Sequence, residues 1–478
     1  MKKLLFGVLA LGVVAFGACK DDEVKRRDVS IEFAAAEVGI DAEDASTEID
    51  ITLSRRPERA LTATVKVEAV GLEYGTHFTT SPAVADGVIN LPLDADKTTA
   101  SIVVTKVGEN YDGNETVTFT IEALSLTDGF QIGAKASSEL KFGDFVSEGN
   151  EKMVLEGNGA DGEVYLNTVY VDLSGNRQKA VNRKSWNIGF WCGTDFHVVL
   201  NSAYGTVATP SGKNDINTVL LTDAEAVGDA FNLNRNPMGA MDISATIFDN
   251  VDGSLSGTAF AGVSATDADN EVYFVASEGQ KPASNPQEPA PTDRSGWFKV
   301  RVTRKDGGYH VEYAKVGSTD IKTVDIAKRD GYNFVFLSLE TGKEVDAEPV
   351  AAKWDIRWSY DTGKSGPMHM FMQDYVSINN LGGVSVATVE TADVAYADFG
   401  KAQLDALKAD DFKTNRNVIG SSWRTVGGMD GGLSSVNASC FYVVKDAAGN
   451  CYKLRFSKFH SDEGATRGRP ELQYQKID

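Results

Sequence analysis

Val335-Phe336-Leu337-Ser338-Leu339-Glu340-Thr341-Gly342, with Trp354-Asp355-Ile356-Arg357-Trp358 twelve positions beyond the glycine, is the second appearance of one pattern. The first is Val169-Tyr170-Val171-Asp172-Leu173-Ser174-Gly175, with Trp186-Asn187-Ile188-Gly189-Phe190 eleven positions beyond its glycine. Tyr165 and Tyr332 stand ahead of the two copies. A hairpin closes each, Trp297 to Tyr313 turning at Asp306-Gly307-Gly308 and Phe441 to Phe456 turning at Asp446-Ala447-Ala448-Gly449. Markers that recur in order at offsets of about 140 to 168 residues point to a duplicated unit. Residues 150–318 and 319–478 are therefore expected to be two tandem antiparallel β domains of one fold, with Trp186 matching Trp354 and Tyr309 matching Tyr452. Strand alternation would place Trp186, Ile188 and Phe190 on one core face, and Trp354, Ile356 and Trp358 on another.

The chain has 478 residues, which suggests about three domains at roughly 150 residues each. Its 47 Lys and Arg against 68 Asp and Glu leave a net charge of −21. Such a surface repels phosphate backbones and anionic lipid, so nucleic acid is excluded as an expected partner. The apolar run Leu4 to Phe16 follows Lys2-Lys3 and ends at Gly17-Ala18-Cys19, the layout of an export signal and too short to span a bilayer comfortably. The segment resembles a bacterial lipoprotein signal, which implies removal of residues 1–18 and acylation of Cys19. Lys20-Asp21-Asp22, within the tether 19–28, is similar to the signal that sends Bacteroidetes lipoproteins to the cell surface. The expected location is the outer membrane, held by lipid alone and exposed outside. An acidic solvated tether is the other reading of those residues. Cys192, Cys440 and Cys451 are too few for a disulfide framework, and a four-residue turn would set Cys440 opposite Arg455 rather than Cys451.

Residues 29–146 alternate apolar and polar side chains in short runs, clearest at 49–53, 64–70, 101–104 and 115–121, with turns at Asp86-Gly87, Asp112-Gly113 and Asp128-Gly129. An antiparallel sandwich of about seven strands is expected, with His77 as a packed strand residue. The stretches 69–78, 86–89 and 114–121 resemble the Calx-β family, a spacer or adhesion module. That family can bind calcium at loop carboxylates, here Glu73, Asp86, Asp112 and Glu115, which are otherwise ordinary solvated loop acids.

The order of the pieces from Leu339 through Trp354-Asp355-Ile356 to Tyr442-Val443-Val444, Gly449, Tyr452-Lys453-Leu454-Arg455-Phe456 and residues 468–474 resembles the HmuY family of surface lipoproteins. The fold class is thus all-β: a Calx-β or Ig-like sandwich followed by two HmuY-like domains. The resemblance implies capture of haem, held between two histidines or two methionines, and delivery to an outer-membrane transporter. Its first ligand would stand after the tryptophan strand, where this chain has Trp191 and Cys192, or Ser359 and Tyr360. The remaining donors are Met238 and Met241, at the distance where the second ligand falls, and the cluster Met368, His369, Met370 and Met372. There the three methionines share one strand face and His369 takes the other. Thioether and imidazole both bind haem iron, although a methionine row also serves as core filler. His197 reads as a sandwich residue, and His310 and His460 carry no functional claim.

No nucleophile elbow, phosphate loop or zinc-protease helix is present, and only 401–410 and 222–229 read as helices. The chain is read as no enzyme. A surface binding or adhesion module for another nutrient or host glycan, using the Pro-rich loop 281–293, is the alternative to haem capture.

Overall fold

A computed structural model describes residues 28–477 apart from 43, 109–110, 112, 144, 160–161, 228–239, 242–246, 278–293, 366–367, 426–433 and 461–466. For 240–241, 365 and 368–370 it describes the backbone alone.

The first domain holds β1 (Val29–Phe33), β2 (Glu37–Ile40), β3 (Ser46–Leu53), β4 (Leu61–Val70), β5 (Phe78–Ser81), β6 (Val88–Leu93), β7 (Thr99–Lys106), β8 (Thr116–Leu124), β9 (Phe130–Ile132) and β10 (Ser137–Phe142). They form two five-stranded sheets, β5-β7-β3-β1-β9 and β2-β10-β8-β4-β6. Ten strands replace the expected seven or so; two of the extra strands arise because two runs change sheet part-way. β1 pairs with β9, and β2 with β10, in parallel rather than antiparallel register. Alternate residues such as Ile49, Ile51 and Leu53 meet Val117, Phe119 and Ile121 in one apolar core. Asp86 and Gly87 both take positive φ, as the tight Asp-Gly turn requires. His77 lies in the turn before β5, not in a strand, where its Nδ1 accepts the Glu73 N–H at 2.9 Å.

The rest of the chain forms β11 (Gly149–Val154), β12 (Asn167–Asp172), β13 (Arg177–Asn182), β14 (Ile188–Trp191), β15 (Val198–Leu200), β16 (Val207–Pro210), β17 (Ala240–Met241), β18 (Val272–Ala276), β19 (Phe298–Lys305) and β20 (Gly308–Lys315). Then come β21 (Lys322–Ile326), β22 (Phe334–Ser338), β23 (Lys343–Val345), β24 (Ile356–Ser365), β25 (Met368–Ile378) and β26 (Ser385–Glu390). The last strands are β27 (Arg424–Thr425), β28 (Ser435–Val436), β29 (Cys440–Lys445), β30 (Cys451–Lys458) and β31 (Glu471–Lys476). The helices are short: α1 (Leu221–Ala226) and α2 (Lys401–Ala406), the latter ending sooner than the expected 410.

The two halves do not fold side by side. They exchange strands. β12 and β13 join β24 and β25 in one sheet, while β22 and β23 join β14 and β15 in another. The terminal β11 pairs with β31, and β21 crosses back to β20. Sheets β11-β31-β30-β29-β26 and β13-β12-β24-β25-β17 enclose one core, with Val169 and Val171 packed against Trp358, Val444 and Leu472. Sheets β15-β14-β22-β23 and β16-β18-β19-β20-β21 enclose the other, with Ile188 and Phe190 packed against Leu337, Val300 and Ile326. Each sandwich thus needs strands from both sides of residue 319, which corrects the expectation of two separable domains at 150–318 and 319–478.

The repetition extends to single hydrogen bonds. Asn187 donates its N–H to Leu337 O and accepts the Leu339 N–H at 2.8 Å; Asp355 donates to Val171 O and accepts the Leu173 N–H at 2.8 Å. The Asn201 amide donates to the carbonyls of Arg183 and Trp186, and that of Asn379 to those of Ala351 and Trp354. Lys299 donates to Ile216 O and Val219 O, Lys453 to Tyr396 O and Phe399 O. Trp186 and Trp354 are counterparts. Tyr309 and Tyr452 are not: the Lys299 and Lys453 contacts match Phe298 to Tyr452, so β19 answers to β30. The tight turn after Lys445 corresponds to a long connection, 277–297, in the other copy, and matching turn to turn shifted the hairpins by one strand.

Two further expectations fail locally. Ile188 and Ile356 begin their strands, so Trp186 and Trp354 stand outside the alternation. Trp186 packs on Phe336 at 4.4 Å and Trp354 edge-on to Tyr170 at 5.1 Å, on the outer faces of their sheets. The turn between β29 and β30 spans five residues, with Lys445 opposite Cys451, so Cys440 passes Arg455 by one. All three described cysteines are free.

The first domain docks through buried polar groups. Lys135 Nζ donates to Ala34 O at 2.6 Å and Asn150 Oδ1 at 3.1 Å, and Asn176 accepts from Asn150 and Tyr474 while donating to Glu37 O. Arg469, 3% exposed, pairs with Glu156 and donates to Leu53 O across the junction.

Candidate functional site

β24 and β25 make the longest hairpin of the duplicated region, ten and eleven residues, and reach beyond the sandwich they start from. A bulge between Ser359 and Asp361, opposite Asp374 at φ 57°, turns the outer half. Beyond it Met372 lies opposite Asp361, Met370 opposite Gly363, His369 opposite Lys364 and Met368 opposite Ser365. On the other edge of β25 runs β17, with Ala240 opposite Met370 and Met241 opposite His369. Two donor groups 127 residues apart in sequence, from Met241 to Met368, therefore lie on neighbouring strands. Met238, like the loop 281–293 and the signal with Cys19, falls outside the described residues.

Aromatic rings lead up to this ladder. Trp358 stacks on Tyr165 (5.7 Å, 23°), Tyr165 meets Tyr360 edge-on (5.4 Å), and Tyr360 stacks on Phe371 (4.9 Å, 14°). The Arg183 guanidinium lies 4.7 Å over the Tyr360 ring. Gly363 is required here. A side chain in its place would approach the Tyr375 ring to 2.7 Å and the Met372 sulfur to 3.0 Å.

Charge at the hairpin base is paired. Burial opposes ionisation of Asp361, but Arg416, Arg357, Ser202 and Ser377 outweigh it and hold the carboxyl below its usual range. Asp374 accepts from Tyr165 Oη at 2.9 Å, and burial raises its pKa. Sequence reading missed this polar set; the signal was available as Arg357 and Asp361, opposite charges on either side of Trp358 in the tryptophan strand.

Of the calcium candidates, Glu73 and Asp86 are exposed in separate turns, Glu115 accepts the Gly113 N–H at 2.9 Å, and Asp112 is outside the described residues. Among the described residues no three His, Cys, Asp or Glu form a group that could hold a metal ion. His197 precedes β15 at the sandwich rim, its N–H donating to Tyr309 Oη, and His310 bonds Asp325. No described helix is long and apolar enough to cross a membrane.

The fold defines an all-β protein with a sandwich module in front of an interlocked pair of antiparallel sandwiches. A family model described as HmuY protein matches residues 164–474, about two thirds of the chain, and the chain belongs to that family. No curated protein matches. Among solved structures, the apo-form Calx CBD1 domain is similar at 7% identity over 24% of this chain and 97% of that one, with a TM-score of 0.21. CBD12 from CALX1.2 is similar at 9% identity over 38% and 61%, with a TM-score of 0.21. A two-domain protein of unknown function from Bacteroides fragilis NCTC 9343 is similar at 10% identity over 27% and 51%, with a TM-score of 0.17. No catalytic family appears among these matches.

Proposed function

We propose that the chain is a surface-exposed lipoprotein that binds haem or a related porphyrin for nutrient acquisition, at the outer half of the β24–β25 hairpin. The observation that carries this reading is the register that sets Met241 beside His369 and Met368–Met372, within a chain of the HmuY family. Thioether or imidazole donors on adjacent strands suit haem iron, and alternation along β25 sets Phe371 on the His369 face, with the methionines on the other. Lipid on Cys19 would supply the anchor, since two or more acyl chains hold a protein at a membrane without a spanning helix. An outer-membrane transporter is the partner such a carrier would serve.

Haemin titration of the chain lacking residues 1–18 tests the reading. A saturable Soret shift is expected; its loss in Met370→Ala or Met372→Ala would assign the iron to the methionine face of β25, and its loss in Met241→Ala to the face that Met241 shares with His369. No spectral change at micromolar haemin would remove it. The reading as a binding or adhesion module without haem would then stand, and one observation favours it: the positions after Phe190 and Trp358 are Trp191, Cys192, Ser359 and Tyr360, none of them histidine or methionine. For the anchor, Cys19→Ala is expected to release the protein from membranes into the soluble fraction.

A further inference from the structure

The two tryptophans that leave the sandwich cores face one cavity at the seam between the β12–β24 and β14–β22 pairs. A cavity of about 60 Å³ lies there. The Trp186–Phe336 and Tyr170–Trp354 pairs form apolar walls, and Asn333, Glu348, Arg357, Asn379 and Asp249 supply its polar lining. The repeat breaks here: Gly189 stands where the other copy has Arg357, because the Phe336 ring leaves a side chain at Gly189 only 3.0 Å.

Glu348 is 7% exposed and accepts the Asn333 amide at 2.9 Å, the same amide that donates to Asn379 Oδ1. Asp249 accepts the backbone N–H groups of Leu200 and Ala259. The cations of the lining, Arg357 and Arg416, both turn to Asp361 instead. Among the described residues neither Glu348 nor Asp249 has a salt bridge. Burial correspondingly pushes Glu348 up to about 7 and Asp249 up to about 6.

We propose that this seam cavity binds a small organic ammonium ion, its charge held by Glu348 between the Trp186–Phe336 and Tyr170–Trp354 pairs. An ammonium group only donates, which complements carboxylates without a salt bridge, on which Arg357 and Arg416 act only at longer range. Aromatic rings attract the same charge through their negative faces. The volume admits only a few heavy atoms, so a porphyrin is excluded, and the site lies at the base of the β24–β25 hairpin, apart from its outer half.

The test is an NMR titration of the indole N–H signals of the chain lacking residues 1–18 with ethylammonium chloride, against sodium chloride at equal ionic strength. Trp186→Phe and Trp354→Phe assign the two seam signals among the six tryptophans. Saturable shifts confined to those two are expected, with affinity weakened about tenfold or more in Glu348→Gln. No saturable shift up to about 10 mM, ample for a millimolar Kd, overturns the proposal and leaves a cavity for water alone. Equal affinity in Glu348→Gln also overturns it. Should that variant misfold, Phe336→Leu keeps the wall apolar but removes a ring; unchanged affinity there overturns the proposal equally.

Discussion

Among the described residues Lys299 and Lys453 are buried cations without a salt bridge, each fixed by two backbone carbonyls at the end of a single helical turn. Desolvation lowers both pKa values, and the two hydrogen bonds are what keep an ammonium inside. Replacing either by Met leaves two carbonyls unpaired, and a loss of about 1–3 kcal/mol in denaturant unfolding is expected. The Asn187 and Asp355 pair makes a second prediction, because the first copy already shows an amide doing the same task. Burial, then Asp172, raises the pKa of Asp355 well above a normal aspartate. Its native form prefers the proton, so its contribution is intact below about pH 4 and is lost as pH rises toward the folded-state value. Asp355→Asn is therefore expected to fold and to flatten this decline, giving more stability than wild type at pH 8. Equal pH profiles for the two proteins would count against that.

The hairpin β24–β25 is the element on which the site depends. Gly363→Val is expected to abolish the haemin response through the Tyr375 ring and Met372 sulfur, while circular dichroism stays that of an all-β fold. A Soret shift of wild-type affinity in that variant would place the ligand elsewhere. Sequence alone reached the strand content and the recurring tryptophan strands, since alternation and glycine turns are local properties; the soft donors were nominated by residue type alone. Their convergence was not legible, because β17 meets β25 through pairing that no local pattern encodes. The mismatch of Tyr309 with Tyr452 has the same origin. Turns were visible as sequence, but the Phe298-Lys299-Val300-Arg301-Val302 and Tyr452-Lys453-Leu454-Arg455-Phe456 match, which gives the register, was overlooked. Nor does alternation say where a strand begins, which is why Trp186 and Trp354 were assigned to cores they do not enter.

At the scale of the molecule, strand exchange makes the two sandwiches depend on each other. Residues 149–318 alone are expected to be unfolded or aggregated, since they leave β12–β13 without β24 and β14 without β22. Cleavage in the exposed link at Ser318–Asp320 should nevertheless leave the fragments associated through size-exclusion chromatography, separating only on denaturation. Independent migration of two folded fragments would contradict the interlocked topology. The link has another effect, on how such a molecule can change over generations. Two identical chains swapped in this way would be bound to mutate both seams together, whereas a single covalent chain frees one seam from the other. Gly189 against Arg357 and Asn187 against Asp355 are differences that only such a single chain can hold.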